Sequence, residues 1–277
     1  MGLGLGLGVG FYKLAGNDYP GGEFAPDQIE NLALWLRFNT DVQGTDGEGT
    51  AITSQTSPYP DGETISQWSD QSGNNNHAVQ GSAADRPLFE ADEPGALFFA
   101  SAGGNAKYMD LKDPVNASNI QIDANTNFTI IVRFKATNFS SKVLLGSNTD
   151  EFLRLNNNRT FRIKIGSAST DKETFQEASG TIMETDTYYT VMLVRSNGDG
   201  TMKVYVRGGA YTTASGKDWD ASEPSTKLTN QLDIDNIGSS ADDTENFQGY
   251  MKDVIIYDGT ALTAAQRELV FDYIESQ

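Results

Sequence analysis

The chain has one histidine, His77, in the stretch WSDQSGNNNHA, where it stands near Asp70 and Ser72. A base, a carboxylate and a hydroxyl are the residue types of a hydrolytic triad, and His with Asp could also ligate a metal. No G-x-S-x-G accompanies them. Turn chemistry explains the same residues more simply. Asp70 and Ser72 can accept from backbone N–H groups, while Gly73 and the asparagines tolerate positive φ. Trp68 would anchor such a turn in the core. The stretch therefore reads as structural.

Two other kinds of residue could meet a ligand. DIDNIGSSADDTEN gathers Asp233, Asp235, Asp242, Asp243 and Glu245, oxygen donors suited to a hard cation but without the order of an EF-hand. In an acidic chain the same residues also form a solvated loop. GKDWDASEP places Trp219 between two aspartates, and SPYPDG places Tyr59 between prolines. Either ring could stack on a pyranose, and either could pack as a loop anchor, which is the reading we prefer.

The elements that must position these residues are mostly strands. FTIIVRFKA puts Phe128, Ile130, Val132 and Phe134 on one face and Thr129, Arg133 and Lys135 on the other. TFRIKI repeats the pattern with Phe161, Ile163 and Ile165, so both read as strands with one wet face. YYTVMLVRS is apolar on both faces and predicts a central strand. Asn197-Gly198-Asp199-Gly200 then joins it to TMKVYVRGG as a hairpin. A helical turn is predicted near Pro26 to Glu30. One true helix is predicted in LTAAQRELVFDYIESQ, where Thr263 and Gln266 make a capping box and Ala265, Leu269, Val270, Tyr273 and Ile274 form the apolar stripe. Strands at this spacing with one terminal helix predict an all-β, two-sheet antiparallel sandwich.

Three segments, in this order, carry a resemblance. They are APDQIENLALWLRF, then ISQWSDQSGNNNHAVQGSAADRPLF, then ENFQGYMKDVIIYDGTALTAAQRELVFDYI. The residues are Trp68, Asp70, Ser72, Gly73, Asn74, Asn76 and Ala78, then Arg86-Pro87, then Phe247, Gly249, Met251, Val254, Ile256, Tyr257 and Thr263. They resemble the laminin-G-like, concanavalin A-like jelly-roll domains, in the variety common in bacterial surface proteins and phage structural proteins. The resemblance runs from about Pro26 to the C-terminus and implies a jelly roll of two curved sheets. It leaves activity open, because this scaffold hosts lectins, hydrolases, adhesion modules and inert structural domains. Glycosidases of the fold carry alternate carboxylates on one strand. Here FEADEPG comes nearest, but Glu90, Asp92 and Glu93 miss the spacing and Pro94 ends any strand. We expect no enzyme and no catalytic residue. Several relatives bind calcium, which makes Asp235, Asp242, Asp243 and Glu245 its candidates; no other cofactor is expected.

The first residues, MGLGLGLGVGF, lie outside the resemblance. Leu3, Leu5, Leu7, Val9 and Phe11 would share one face of an extended arm with glycine on the other, a form suited to strand addition on a neighbour's sheet edge. An internal strand of the same domain is the competing reading. We therefore divide the chain into an arm and spacer, residues 1–25, and a jelly-roll domain, residues 26–277. A net charge of −18 disfavours nucleic acid. No run approaches the ~20 apolar residues of a membrane span, and no positive charge precedes the glycine ribbon as in a signal peptide. With no cysteine, disulfides are excluded. The expected function is a non-catalytic structural subunit of a virus particle, a decoration, fibre or tail-associated protein of a bacterial virus. It would be a homo-oligomer or part of a larger assembly, locked in by the arm to other virion proteins. The alternative is a carbohydrate-binding or adhesion module, extracellular or at a cell surface, that uses Trp219 or Tyr59. A glycoside hydrolase or lyase is the third.

Overall fold

A computed structural model of the chain describes residues 24–37, 40, 42–45, 51–52, 62–90, 93, 96–102, 105–111, 120–166, 168, 172–197, 201–213, 216–221, 230–240 and 245–277. These form antiparallel strands in two layers, with one C-terminal helix. The sheet under the helix is built on Gly249–Asp258, the longest strand. One of its edges pairs along its length with Phe128–Ala136. Its other edge is shared end to end by Leu32–Arg37 and Ala96–Phe99. Beyond Phe128–Ala136 lie Tyr188–Ser196, Thr201–Arg207 and Lys217–Ala221 in turn. The hairpin expected at Asn197 closes as predicted, with Ser196 opposite Thr201. The opposing layer runs through Lys172–Gln176, Thr160–Ile165, Glu151–Asn157 and Lys142–Asn148. Phe175 opposite Ala221 joins the two layers at one side.

Period-two patterning explains the core between the layers. Phe128, Ile130, Val132 and Phe134 meet Phe161, Ile163, Ile165, Val191, Leu193, Val254 and Ile256 there, all buried. Tyr188–Ser196 is buried at all but its ends, as its two apolar faces require.

The second face of the first sheet differs from the expectation. It is not a wet face. Ile131, Met192, Tyr205, Ile255 and Trp35 form a second apolar cluster beneath the helix Ala264–Glu275. The helix starts on the predicted capping box, with Thr263 Oγ1 accepting from Gln266 N and the Gln266 side chain accepting from Thr263 N. Its buried stripe is Val270, Phe271 and Ile274. Ala265, assigned to the stripe from sequence, is exposed. The helix buries its apolar residues in its last two turns, while Ala264 and Ala265 in its first turn are exposed. A 3-10 turn at Pro26–Gln28 leads into the first strand.

Candidate functional site

The loop around the histidine is a hydrogen-bonded clamp. Asp70 Oδ1 accepts from the backbone N–H of Trp35 and of Ser72, each at 2.9 Å. Its Oδ2 accepts from Ser72 Oγ at 2.7 Å and from Asn76 N at 3.0 Å. Asn74 and Asn76 donate through their side-chain amides to the carbonyls of Leu32 and Ala33, at 2.8 and 2.9 Å. His77 Nδ1 accepts from Asp70 N at 3.0 Å, which ties the imidazole into the turn. Trp68 is fully buried, with Nε1 donating to Arg37 O at 2.8 Å. A buried carboxylate taking four donors is a structural device.

Of the calcium candidates, Asp235 and Glu245 are among the described residues, and Asp242 and Asp243 lie outside them. Glu245 is ion-paired to Arg154. Asp235 is half-buried, and its Oδ2 accepts from Ser147 Oγ at 2.8 Å. Close to it is Asp110, whose carboxyl burial pushes up to about 6, with the negative charges of Asp235 and Asp85 adding to the shift. Burial raises Glu151 as well, with Asp233 and Asp235 contributing. With its side-chain amide turned, Asn236 donates to Asp110 Oδ1 at 2.9 Å. Among the described residues, no group of three or more His, Asp or Glu is arranged to hold a metal ion.

Of the two aromatic candidates, Tyr59 lies outside the described residues, as do Leu3, Leu5, Leu7, Val9 and Phe11. Trp219 points inward from the strand Lys217–Ala221 and is 2% exposed. Its ring packs on Phe161 at 5.0 Å and on Tyr211 at 6.0 Å between centroids. Strand alternation sends Asp218 outward and Trp219 into the core, so no ring face is left for a sugar.

The aromatic surface that the fold does build was not found from the sequence. On the outer face, past the C-terminal end of the helix, side chains from four adjacent strands line up in one row. Tyr250 stands opposite Phe98 on one side and Lys135 on the other, and Lys135 stands opposite Tyr188. Phe98, Tyr250 and Tyr188 are each half-buried. The Phe98 and Tyr250 rings stack with centroids 4.7 Å apart and planes tilted by 32°. Lys135 Nζ lies between the two tyrosines, 4.3 Å from the Tyr250 centroid and 5.3 Å from that of Tyr188.

Glu93, from the acidic FEADEPG stretch, reaches over this row. Its Oε1 is 2.6 Å from Lys135 Nζ, and its Oε2 accepts from the Tyr188 hydroxyl at 3.4 Å. Burial pushes the Tyr188 phenol well above its ordinary range, and the Glu93 charge adds to that shift. Two further cations approach the Tyr188 ring, Lys252 Nζ at 4.5 Å and Arg133 Cζ at 5.6 Å.

Local backbone geometry sets the row. The register between the strands slips at Arg133/Phe134, which turns Lys252 and Asp253 toward the same outer face. Gly249, with φ +144°, starts the strand where a Cβ would lie 2.1 Å from Lys135 O. Only glycine lets Tyr250 pair this closely with Lys135. Neither spacing nor composition signals this assembly, since its members come from positions 93, 98, 135, 188 and 250. What the sequence does carry is an aromatic or cationic residue at the outward position of each strand.

Comparison with known proteins places the scaffold. No curated protein sequence matches the chain significantly. Among solved structures, the chain is similar to a GH54 α-L-arabinofuranosidase, with a TM-score of 0.51 at 12% identity over 88% of this chain and 58% of that one. It is similar also to the binding domain of botulinum neurotoxin serotype D/C, with a TM-score of 0.51 at 14% identity over 88% of this chain and 52% of that one. The chain thus spans little more than half the length of each, and at these identities the likeness is one of fold. A family model, Laminin_G_3, described as the concanavalin A-like lectin/glucanases superfamily, matches residues 104–266. That match covers more than half of the chain and agrees with the layered sheets, so this chain belongs to the Laminin_G_3 family of the concanavalin A-like superfamily.

Proposed function

We propose that the chain is a non-catalytic carbohydrate-binding or adhesion module, with its glycan contacts along the outer-face row. The observation that carries this reading is the alignment of Phe98, Tyr250, Lys135 and Tyr188 across four strands, with the three aromatic residues partly exposed. A pyranose presents a C–H face that packs on aromatic rings and a rim of hydroxyls that hydrogen-bond to charged groups. A rigid sheet holding both kinds of partner in a fixed row suits it. The fold is shared with an arabinose-releasing enzyme and with a toxin's binding domain, which supports a sugar ligand without supplying one.

Catalysis is not part of this reading. Glu93 is held by Lys135 and Tyr188, which suits an ion pair better than proton transfer. The expectation of a virus-particle subunit hung on the leader, which lies outside the described residues.

The test is retention of the intact chain on a broad polysaccharide panel, comparing wild type with Tyr250→Ala. Binding to at least one polymer should weaken by about tenfold or more in the variant, with its thermal midpoint held near that of wild type. Unchanged binding in Tyr250→Ala, or no retention of wild type on any polymer, overturns the proposal.

A further inference from the structure

At the centre of the row, where a sugar ring would sit, the chain places its own carboxylate. Lys135 and Glu93 differ in kind. The lysine side chain is 9% exposed and clamped between two tyrosines, so its ammonium is fixed in position. The glutamate side chain is 32% exposed and comes from a turn residue. The buried ammonium needs a carboxylate partner, and Glu93, being the partly solvated member, is the one that another carboxylate can replace without leaving the lysine unpaired. The receiving group is already oriented, since Lys135 Nζ and the Tyr188 hydroxyl both address the same carboxylate. Lys252 and Arg133, close to the Tyr188 ring, add positive potential at that point. The three cations Lys135, Lys252 and Arg133 gather at the Tyr188 end of the row, while Glu90 and Asp186 carry negative charge toward Tyr250, so it is at the Tyr188 end that an anionic group of a ligand is favoured.

We propose that the ligand of this face is an acidic glycan. Its sugar carboxylate takes the place of the Glu93 carboxylate on Lys135 and Tyr188, and its ring faces pack on Tyr250 and Phe98. This inference rests on the glycan-binding reading above and adds the charge of the ligand. Glu93 is then a built-in competitor that sets affinity: its side chain swings into solvent when a uronate occupies the lysine.

The test uses the intact chain and uronate polymers (polygalacturonate, alginate and hyaluronate), each beside its carboxyl-reduced, neutral counterpart. Wild type should be retained on at least one acidic polymer and about tenfold less on its reduced form. Glu93→Gln keeps the size of the side chain but removes the competing charge. It should tighten the acidic interaction about threefold to tenfold and leave the neutral one unchanged. Added salt should weaken the acidic interaction in both proteins. Tyr188→Phe, which removes only the hydroxyl donor, should weaken uronate binding by about threefold in the Glu93→Gln background.

Equal retention on acidic and reduced polymers, insensitive to Glu93→Gln but lost in Tyr250→Ala, overturns the acidic-ligand inference and leaves the glycan reading standing. Retention on neither form, in wild type and Glu93→Gln alike, overturns this inference; the broad panel then decides the reading beneath it.

Discussion

At the scale of single residues, the carboxylates of this chain do three different things. Asp70 is satisfied by four donors from three separate points of the chain. Removing its charge leaves buried N–H groups facing a weaker acceptor. Asp70→Asn should lower unfolding stability by about 2–3 kcal/mol, read as a drop in the urea midpoint at unchanged slope. Asp110 is the opposite case. Its carboxyl is raised to about 6 from an ordinary value of 3.8 by burial and by Asp235 and Asp85, so the folded state favours its neutral form. The stability it contributes is therefore fully present below about pH 4 and is lost as pH rises through about 6. Asp110→Asn keeps the acceptor for Asn236 and removes the charge. It should flatten stability between pH 4 and 6 and raise it at pH 7 by about 1 kcal/mol after solvent screening, measured by urea unfolding across pH. Glu93 is the third kind, partly exposed and tied to a buried lysine. All three look alike in the sequence, because burial and partners set the behaviour of a carboxylate and neither is local.

At the scale of elements, the C-terminal helix decides which part of the outer face stays open. Val270, Phe271 and Ile274 cover the apolar cluster around Ile131, Met192 and Ile255. At the end of the helix, Arg133 donates to Ile274 O, Arg37 to the Gln277 side chain and Arg207 to Asp272. Cations meeting the last carbonyls of a helix favour its docking there. Asp253, fully buried, lies in register with both Arg37 and Arg133 beneath this end. The aromatic row starts one step beyond. Phe271→Ala should cost about 3–5 kcal/mol in chemical unfolding, because the ring is wholly buried against the sheet. The helix and its cap were legible in the sequence, since a capping box is a contact between residues three apart. The face it presents was misread at Ala265 because periodicity alone does not say which turns reach the sheet.

At the scale of the whole molecule, the proposed glycan binding and core integrity fall to different aromatic residues. Trp219, a sugar-stacking candidate in the sequence, fills the interior with Phe161 and Tyr211. Trp219→Ala should therefore lower stability by about 3–5 kcal/mol, while the fraction still folded binds glycan as wild type does. Tyr250→Ala should do the reverse, sparing stability and removing binding. A thermal melt and a binding titration on the two variants separate these outcomes. If Trp219→Ala melted like wild type but lost binding, the outer-face row would not be the ligand site.

The sequence by itself determined the class of fold, the hairpin after Ser196, the capped helix and the histidine turn. Each depends on residues near one another along the chain, through strand alternation, turn chemistry or a cap. The tertiary structure alone decided that Trp219 is core and that the supposed wet face of FTIIVRFKA lies partly under a helix. It also decided that Phe98, Tyr250, Lys135 and Tyr188 stand in one line beneath Glu93. Those are matters of strand order and register. Hydrogen bonding between strands distant in sequence sets both, and a one-residue slip would turn every member of the row to the other face.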